Sequence, residues 1–489
     1  MGTYKEVSMM KKKNLSIRSG LFGALLAALA ACYMPLFMYF SNADEVSITE
    51  ILPLIGAFAG AALLLYAILL LFARSAWKAS LTAAIGALIA TNYLYIEKVF
   101  MLLPVHLRYW HVVALVAFIY VHLAYFIIKV LKDDPAQTAG QVLLIVLAGL
   151  LVVNLAGAVP AIVENVSVAR QNRAVNEESE DQTASAMDLP NIYYFIFDEF
   201  SSKATMEKCY GFSNDSFFHA LEDLGFTVSY NSRNMSFATI TVTANYMNLD
   251  YVVTDQDSSQ MRLAVKADNA TKPLMQQHGY ELRFIGAGSS VVDWGIADNM
   301  IESVTSTSTT VGGKTIQDLI LERTIMYPTV DIEGSGAKLA GQINTVFDYF
   351  NDPNHYDRAG NTYTFAYFES PHEPFIFSAD GTLNNPRYFY EWENPQFYLN
   401  QYQYMSGRIV EAVRSIIAND PDAIIILQSD HSARWASFIS PEDKVSILNA
   451  VYYGGEAMGE ILGKSGVNTL RTVYGRLFGL DMPDVEVVE

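Results

Sequence analysis

Cysteine is scarce in this chain, with two residues among 489, Cys32 and Cys209. Cys32 lies inside a long apolar run and Cys209 lies in the more polar second half, so the two are poorly placed to pair. Small secreted domains that depend on disulfides carry many more cysteines. The composition therefore excludes a disulfide framework, and it favours a bacterial envelope protein over a eukaryotic secreted one.

Positive charge is also in short supply. The 32 Lys and Arg residues face 51 Asp and Glu residues, which gives a net charge of −19, and no basic stripe with interleaved aromatic residues is present. A chain of this kind repels a nucleic-acid backbone. The charge balance therefore excludes a nucleic-acid partner.

Long apolar runs, by contrast, dominate the chain up to about residue 163. Each is close to the ~20 residues that cross a bilayer as a helix, and the five runs lie at about 20–41, 50–73, 80–96, 110–130 and 141–162. The first is too long for a signal-peptide core and further runs follow it, so we expect it to be retained. The third is the weakest, since it is short and carries Thr91 and Asn92. The sequence predicts an α-helical transmembrane bundle of about five spans over residues 1–163.

Basic residues flank these spans unevenly. They precede the first span, separate the second from the third and follow the fourth, at Lys5, Lys11, Lys12, Lys13, Arg18, Arg74, Lys78, Lys129 and Lys132. The positive-inside rule then places the N-terminus in the cytoplasm of a bacterial cell and, with five spans, the rest of the chain outside. With four spans that remainder would be cytoplasmic. Few charges lie within the spans, which disfavours a transporter.

The second half of the chain alternates helical and extended patterns. Residues 164–188 have no periodicity and predict a mobile or partly helical linker, and residues 189–489 predict one α/β domain. Helices are expected at 213–224, 272–279, 337–351 and 398–418, and strands at 280–285, 363–368 and 423–427. Such alternation predicts a mostly parallel sheet with helices covering both faces.

Two further strands end in acidic residues. The apolar run from Pro190 ends in Asp198 and Glu199, and a second run, from residue 422, ends in Asp430 and His431. Glu199 would point away from Asp198 if the strand continued through it. Because ligands of open α/β sheets bind at the carboxyl ends of strands, the convergence of these groups predicts a divalent-metal site.

Two other segments carry candidate reactive groups. Thr239 lies where a helix could begin, and its hydroxyl would meet unpaired backbone N–H groups there, although the segment also reads as a strand. Thr241 and Thr243 are competing candidates for a nucleophile. His372 is held in Ser-Pro-His-Glu-Pro, where it could contact a phosphate or protonate a leaving group, or simply belong to a rigid loop.

Taken together, these motifs resemble the alkaline phosphatase/sulfatase superfamily, in particular membrane-anchored sulfatase-domain proteins similar to lipoteichoic acid synthase. The resemblance rests on residues 189–251, 363–376 and 422–434. It implies that Asp198, Thr239, Asp430 and His431 hold one divalent metal ion, that Thr239 is the nucleophile and that His372 contacts the substrate phosphate. Manganese is the implied ion, with zinc, magnesium or calcium as alternatives. Glu199 is a candidate ligand of a second ion, and Asp198 stands where lipoteichoic acid synthases have glutamate.

The resemblance also implies an activity. The expected enzyme is a metal-dependent transferase that moves a phosphoryl-alcohol group, such as phosphoglycerol, from a membrane lipid to an envelope glycan or lipid through a phosphothreonine. A phosphoethanolamine transferase, a phosphodiesterase, a sulfuric ester hydrolase and a catalytically inactive binding module are the alternatives. No formylglycine motif surrounds Thr239 or Cys209, which argues against sulfate hydrolysis by that route.

Overall fold

The computed structural model describes most of the chain as two compact units. The described residues are 17–43, 46–102, 107–178 (backbone alone from 164), 189–252, 264–265, 269–287, 297–300, 310–311, 314–356 and 361–486. One unit comprises residues 1–162 and 315–331, and the other comprises residues 163–314 and 332–489. The predicted division at 1–163, 164–188 and 189–489 did not anticipate that residues 315–331 associate with the first unit.

The first unit consists of apolar helices. In chain order they are α1 (Ile17–Ser41), α2 (Ile48–Ala73), α3 (Ala76–Thr91), α4 (Tyr93–Met101), α5 (Tyr109–Tyr125, continued by a π-helical turn Phe126–Val130) and α6 (Asp133–Glu178). Four are long and apolar enough to cross a membrane: α1, α2, α5 with its π-turn, and the part of α6 up to Val163. Their outward faces expose large apolar side chains such as Leu64, Leu71 and Val153, as a lipid-facing surface does.

The predicted third span is the one that the structure breaks. Helices α3 and α4 meet at Asn92 with a bend of 69°, and together they form the candidate fifth span. The side chains of Thr91 and Asn92 donate to the carbonyl oxygens of Ala87 and Leu88, at 2.9 Å each. Polar side chains that bond back to the preceding turn compete with the helical ladder and favour a bend there.

Helices α1 and α6 run parallel to each other. A Cβ atom on Gly140, near the start of α6, would meet Trp77 at 2.7 Å and Leu26 of α1 at 3.6 Å. Further along, Ala158 of α6 belongs to the same buried cluster as Met38 near the end of α1. The start of α6 therefore lies at the end of the bundle where α1 begins.

The segment Thr315–Asp331 packs on the opposite end of this bundle. It contains the short helix α11 (Ile316–Leu321), whose Ile316 and Ile320 are fully buried in a cluster with Met38 and Ile51. Backbone hydrogen bonds extend the contact, from Leu94 N to Arg323 O at 3.1 Å and from Ile325 N to Ala90 O at 2.8 Å.

Three tyrosines complete the contact of this segment. The rings of Tyr93, Tyr109 and Tyr327 pack mutually, with centroids 5.2–6.4 Å apart. The hydroxyl of Tyr109 donates to Ile325 O at 2.6 Å. Aromatic packing combined with backbone pairing makes residues 315–331 an integral part of the first unit.

The second unit is built on a mixed sheet of seven strands. Its strands are β1 (Ile192–Phe197), β2 (Thr227–Val228), β3 (Glu281–Ala287), β4 (Asn299–Met300), β7 (Thr362–Phe368), β8 (Ile424–Ser429) and β9 (Asn449–Tyr453), and a small separate pair is β5 (Thr310–Val311) with β6 (Lys314–Thr315). The order is β2-β9-β8-β1-β7-β3-β4. The pairs from β8 to β4 are parallel, and β9 pairs antiparallel with β8 and β2. The predicted mostly parallel sheet is confirmed.

Helices cover both faces of this sheet, as predicted. The helices of this unit are α7 (Lys203–Tyr210), α8 (Asp215–Asp223), α9 (Thr239–Asn248), α10 (Thr271–Gln277), α12 (Ile332–Asn351), α13 (Pro395–Asn419), α14 (Pro441–Lys444) and α15 (Gly466–Phe478), with 3₁₀ turns at Pro353–Tyr356, Pro386–Tyr388 and Gly459–Ile461. A further 3₁₀ turn, Tyr327–Thr329, belongs to the first unit. Alternate residues of β1 enter two separate cores. Phe195 and Phe197 pack with α8, α12 and α13, and Tyr194 and Ile196 pack with α9 and α15.

We expect Ile320→Asp to release the segment 315–331 from the first unit. Loss of a buried isoleucine's contacts costs about 2–5 kcal/mol, and an unpaired buried carboxylate adds to that cost. Trypsin should then cut after Arg323 faster than in the wild-type protein. Thr329→Asp, at an exposed position of the same segment, is the matched control and should leave the rate nearly unchanged. Equal cleavage rates in both variants would contradict the packing described here.

Candidate active site

The register of three parallel strands brings the acidic strand ends together. Phe197, the last residue of β1, is level with Phe368 of β7 on one side and Ser429 of β8 on the other. Asp198 and Asp430 follow immediately, and the backbone N–H of Asp198 donates to Phe368 O at 2.9 Å. The predicted convergence at the carboxyl edge of the sheet therefore occurs.

The imidazole of His431 lies at the centre of the cluster. Its Nε2 is 3.2 Å from Asp430 Oδ2, 3.7 Å from Asp198 Oδ1 and 3.3 Å from Thr239 Oγ1. Its Nδ1 lies 2.8 Å from the carbonyl oxygen of Ser432, which can only accept, so Nδ1 carries the proton. The Nε2 lone pair consequently faces the two carboxylates, the tautomer that a metal-ligating histidine needs.

Thr239 is the first residue of α9, so the helical alternative for this segment is the one observed. Ala238 precedes it in an extended conformation, and no side-chain cap bonds the first turn. Thr239 is 9% exposed, whereas the competing Thr241 and Thr243 are fully buried. Thr239 contacts His431, at a helix end that carries partial positive charge.

Glu199 does not point away from Asp198 as a continued strand would make it. The strand ends at Phe197, and Glu199 adopts a left-handed conformation with φ of 62°. Its carboxylate is fully buried, 3.9 Å from His372 Nε2 and 3.4 Å from Arg434 Nε. A left-handed non-glycine residue costs energy and tends to occur at functional sites. Here it turns the second carboxylate into the cluster.

Three carboxylates are thus buried together with oxygens left over. Asp198 Oδ1, both Glu199 oxygens and Asp430 Oδ2 accept no hydrogen bond from the residues that the structure describes. Burial raises the pKa of all three groups, that of Glu199 to about 8. Unpartnered buried oxygens beside an imidazole are a donor set that fits a divalent cation.

Two triads could hold such a cation. Asp198, Asp430 and His431 offer ligand atoms within 4.8 Å of one another, and so do Asp198, Glu199 and His372. The first triad, with Thr239, is the metal set that the sequence resemblance implied. The second brings in Glu199, the candidate ligand of a second ion, together with the residue expected to contact substrate.

The two histidines differ in charge. Burial and the neighbouring Arg434 lower the pKa of His431 to about 3, so its imidazole is neutral. Burial would lower the pKa of His372 too, but Asp198 and Glu199 outweigh it and raise that pKa to about 10. His372 is fixed by its backbone N–H, which donates to Asp198 O at 3.1 Å, and by its Nδ1, 2.7 Å from Glu373 O. It therefore presents a cationic Nε2 to the cluster.

Two residues of the site were not anticipated from the sequence. The hydroxyl of Tyr367 on β7 donates to Asp198 Oδ2 at 2.6 Å. Arg434, three residues after His431, contacts both Glu199 and His431. Its position three residues after the Asp-His pair, in an acidic chain, could have indicated Arg434. Tyr367 has the sequence pattern of an ordinary strand residue, so nothing in the sequence indicated its role.

We expect metal binding to depend on Asp430. Asp430→Asn removes a negative ligand, so affinity for a divalent ion should fall by at least about 10-fold, which is the smallest effect typical of an outer-shell partner. Calorimetry and elemental analysis of the purified protein measure affinity and stoichiometry. In the wild-type protein, metal at 100 times its Kd should also add about 2.7 kcal/mol of stability that a chelator removes.

Asp422→Asn is the matched control for this experiment. Asp422 lies at the other end of the same strand, is exposed, and should not affect metal binding. Wild-type metal affinity in Asp430→Asn would show that this carboxylate holds no ion.

No protein-family model and no curated protein matches the chain. Solved structures similar to it include the zinc complex of the C-terminal periplasmic domain of EptC from Escherichia coli, with 12% identity, a TM-score of 0.41 and coverage of 60% of this chain and 84% of that one. The lipoteichoic acid synthase LtaP from Listeria monocytogenes has 13% identity and a TM-score of 0.39, covering 64% and 79%. The integral membrane lipooligosaccharide phosphoethanolamine transferase A from Neisseria meningitidis has 13% identity and a TM-score of 0.39, covering 92% and 95%.

Proposed function

We propose that this protein is a membrane-anchored, metal-dependent phosphotransferase that uses Thr239 as its nucleophile. The observation that carries the proposal is the position of the Thr239 hydroxyl. It lies at a helix N-terminus, 3.3 Å from His431 Nε2, in a cluster with buried carboxylate oxygens of Asp198 and Asp430 that accept no hydrogen bond from any described residue. The helix N-terminus favours an alkoxide and a phosphoryl group there, and a divalent ion held by the carboxylates would add to that effect.

Asp198, Thr239, Asp430 and His431 would hold one divalent ion, for which we propose manganese. Three oxygen ligands and one nitrogen suit manganese, and they suit zinc or magnesium as well. Such an ion lowers the pKa of a hydroxyl bound to it and offsets negative charge on phosphate oxygens. Glu199 and His372 lie beside this set, so a measured stoichiometry of two ions per chain would assign the second ion to them.

The residues of the chain support a two-step transfer. In the first step, Thr239 Oγ1 forms a bond to the phosphorus of a lipid phosphodiester, and the bond from phosphorus to the lipid oxygen breaks. The threonine hydroxyl loses its proton to water, and the departing lipid alcohol gains one from the protonated His372. The product is a phosphothreonine diester that carries the head-group alcohol.

In the second step, an acceptor hydroxyl replaces Thr239 on phosphorus. Its proton passes to His372, and the threonine oxygen regains a proton from water, so the enzyme returns to its initial state. We propose phosphoglycerol as the transferred group and an envelope glycan or lipid as the acceptor. Phosphoethanolamine transfer uses the same residues with a different head group.

The membrane anchor has a clear role in this scheme. It confines the second unit to the layer that contains lipid substrates and so raises their effective concentration. We propose that the N-terminus lies in the cytoplasm of a bacterial cell and the second unit outside. The parallel course of α1 and α6 supports this orientation, since the chain then leaves the bundle at the end opposite to its start.

We expect Thr239→Ala to abolish release of the head group and to trap no phosphothreonine, because no other group replaces its oxygen. Turnover of a lipid phosphodiester and mass spectrometry of the α9 peptide measure both effects. Thr243→Val is the matched control on the same helix, since the buried Thr243 hydroxyl has no hydrogen bond among the described residues and valine preserves its shape. Turnover that persists in folded Thr239→Ala would refute the proposed nucleophile. An inactive wild-type protein that still binds metal and lipid would instead indicate a binding module.

The orientation predicts which cysteines react from outside the cell. After replacement of Cys32 and Cys209, a single cysteine at the exposed position 391 (Glu391→Cys) should react with a membrane-impermeant maleimide in intact spheroplasts. A cysteine at position 132 (Lys132→Cys), between the proposed fourth and fifth spans, should react only after lysis. The reverse pattern would place the second unit in the cytoplasm.

A further inference from the structure

Arg434 is the permanent cation of the candidate site. Among the described residues it is the only Lys or Arg with a nitrogen within 4.0 Å of the carboxylates of Asp198, Glu199 or Asp430, through its Nε, 3.4 Å from Glu199 Oε1. Its Nη1 donates to Phe237 O at 2.9 Å and lies 3.4 Å from His431 Nε2. The guanidinium group thus lies beside the proposed nucleophile, since Phe237 precedes Thr239 by two residues.

The hydrogen-bonding capacity of this guanidinium group is largely unused. Nε makes no hydrogen bond, because its contact with Glu199 is an ion pair without hydrogen-bond geometry. Nη2 donates to none of the residues that the structure describes, since the hydrogen bonds of Arg434 all involve Nη1. Nε and Nη2 form the planar fork with which arginine binds two oxygens of a phosphate.

The group is also held in place by its neighbours. Its central carbon lies 5.2 Å from the centroid of the Trp435 ring, a cation–π contact, and the Nη1 bond fixes the rotation of the fork. The side chain is 21% exposed, so one edge faces away from the protein while the rest is enclosed. A fixed, partly enclosed cation binds an anion with less loss of entropy than a freely moving one.

We propose that Arg434 is a catalytic residue that binds the phosphoryl oxygens of the substrate and of the phosphothreonine. This inference rests on the function proposed above and adds the residue that recognises the phosphate. Besides the cationic His372, the site presents three carboxylates, which repel an anionic phosphodiester. Arg434 offsets part of that charge and donates to oxygens on which charge increases during transfer.

Phosphate binding tests this role without turnover. Full-length, metal-loaded protein in detergent is titrated with inorganic phosphate by calorimetry. Arg434→Gln should weaken phosphate binding at least about 10-fold while the metal content stays that of the wild-type protein. Lipid phosphodiester turnover should lose about 10²–10³ in kcat/KM, the usual cost of losing one oxyanion donor, and mostly in kcat. Arg434→Lys, which keeps the charge but not the fork, should recover part of both losses.

Arg476→Gln is the matched control. Arg476 also pairs with a glutamate, Glu456, and lies 4.7 Å over a ring, that of Tyr453, but away from the candidate site. It should bind phosphate and turn over substrate like the wild-type protein. If Arg434→Gln does not fold, Arg434→Lys alone tests the proposal. Wild-type phosphate affinity together with wild-type kcat in Arg434→Lys would then overturn it.

Two other outcomes distinguish the proposals. Phosphate affinity within twofold of wild type in folded Arg434→Gln, or loss of its metal, would show that Arg434 only balances Glu199 and would refute a phosphate-binding role. If Thr239→Ala remains active while Arg434→Gln loses phosphate affinity, the assignment of Thr239 as the nucleophile is wrong and the assignment of Arg434 to phosphate binding is supported.

Discussion

Three carboxylates buried within reach of one another are the constraint on which the second unit depends. Burying a charged group away from water costs several kcal/mol unless a partner offsets it, and adjacent like charges add to that cost. Asp198, Glu199 and Asp430 are at most 4% exposed, and four of their oxygens accept no hydrogen bond from the part of the chain that the structure describes. A chain selected for stability alone would not retain such a cluster. Its persistence is understandable if a cation and an anionic substrate complete it.

The fold holds this cluster in place through its backbone. The two Asp-bearing strands are neighbours in register, so Asp198 and Asp430 cannot separate without breaking the β1–β8 pairing. Asp430 Oδ1 accepts from the backbone N–H groups of Glu199 and His431, at 3.1 and 2.8 Å. Together with the Tyr367 bond to Asp198, these contacts leave one oxygen of each aspartate bound to protein and the other directed at His431. The carboxylates are therefore oriented before any ligand binds.

The sequence was sufficient for features that depend on local pattern. Short runs of residues indicate the buried strands, the amphipathic helices between them and the apolar spans. The structure contains these elements close to the predicted bounds. The proximity of Asp198 and Asp430 could be predicted because the carboxyl ends of parallel strands lie at one edge of a sheet. The position of the Glu199 carboxylate could not be predicted, since it depends on the left-handed backbone conformation of Glu199 itself.

Long-range associations were the other part that the sequence did not reveal. The antiparallel strand β9 and helix α15 lie beyond the last motif, in a stretch with ordinary composition. Residues 315–331 have the local pattern of any short helix and turn, and their place in the first unit is specified by Ile320 and the tyrosines that they meet there. Contacts of this kind are properties of two distant segments together, so neither segment predicts them alone.

The proposed orientation of the chain in a membrane can be argued from the packing of the helices as well as from the number of predicted spans. From the sequence, the side on which the second unit lies depends on whether the weak third run crosses the membrane. In the structure, Gly140 of α6 packs near Leu26 of α1, and Ala158 shares a cluster with Met38. The ion pair between Lys78 and Asp133, at 3.6 Å, joins the start of α3 to the start of α6 at that same end. Because α6 is parallel to α1, the chain leaves α6 opposite to where it entered α1, and α3 with α4 must together carry the chain from the end of α2 to the start of α5. The bend at Asn92 therefore does not remove the third crossing on which the proposed orientation depends.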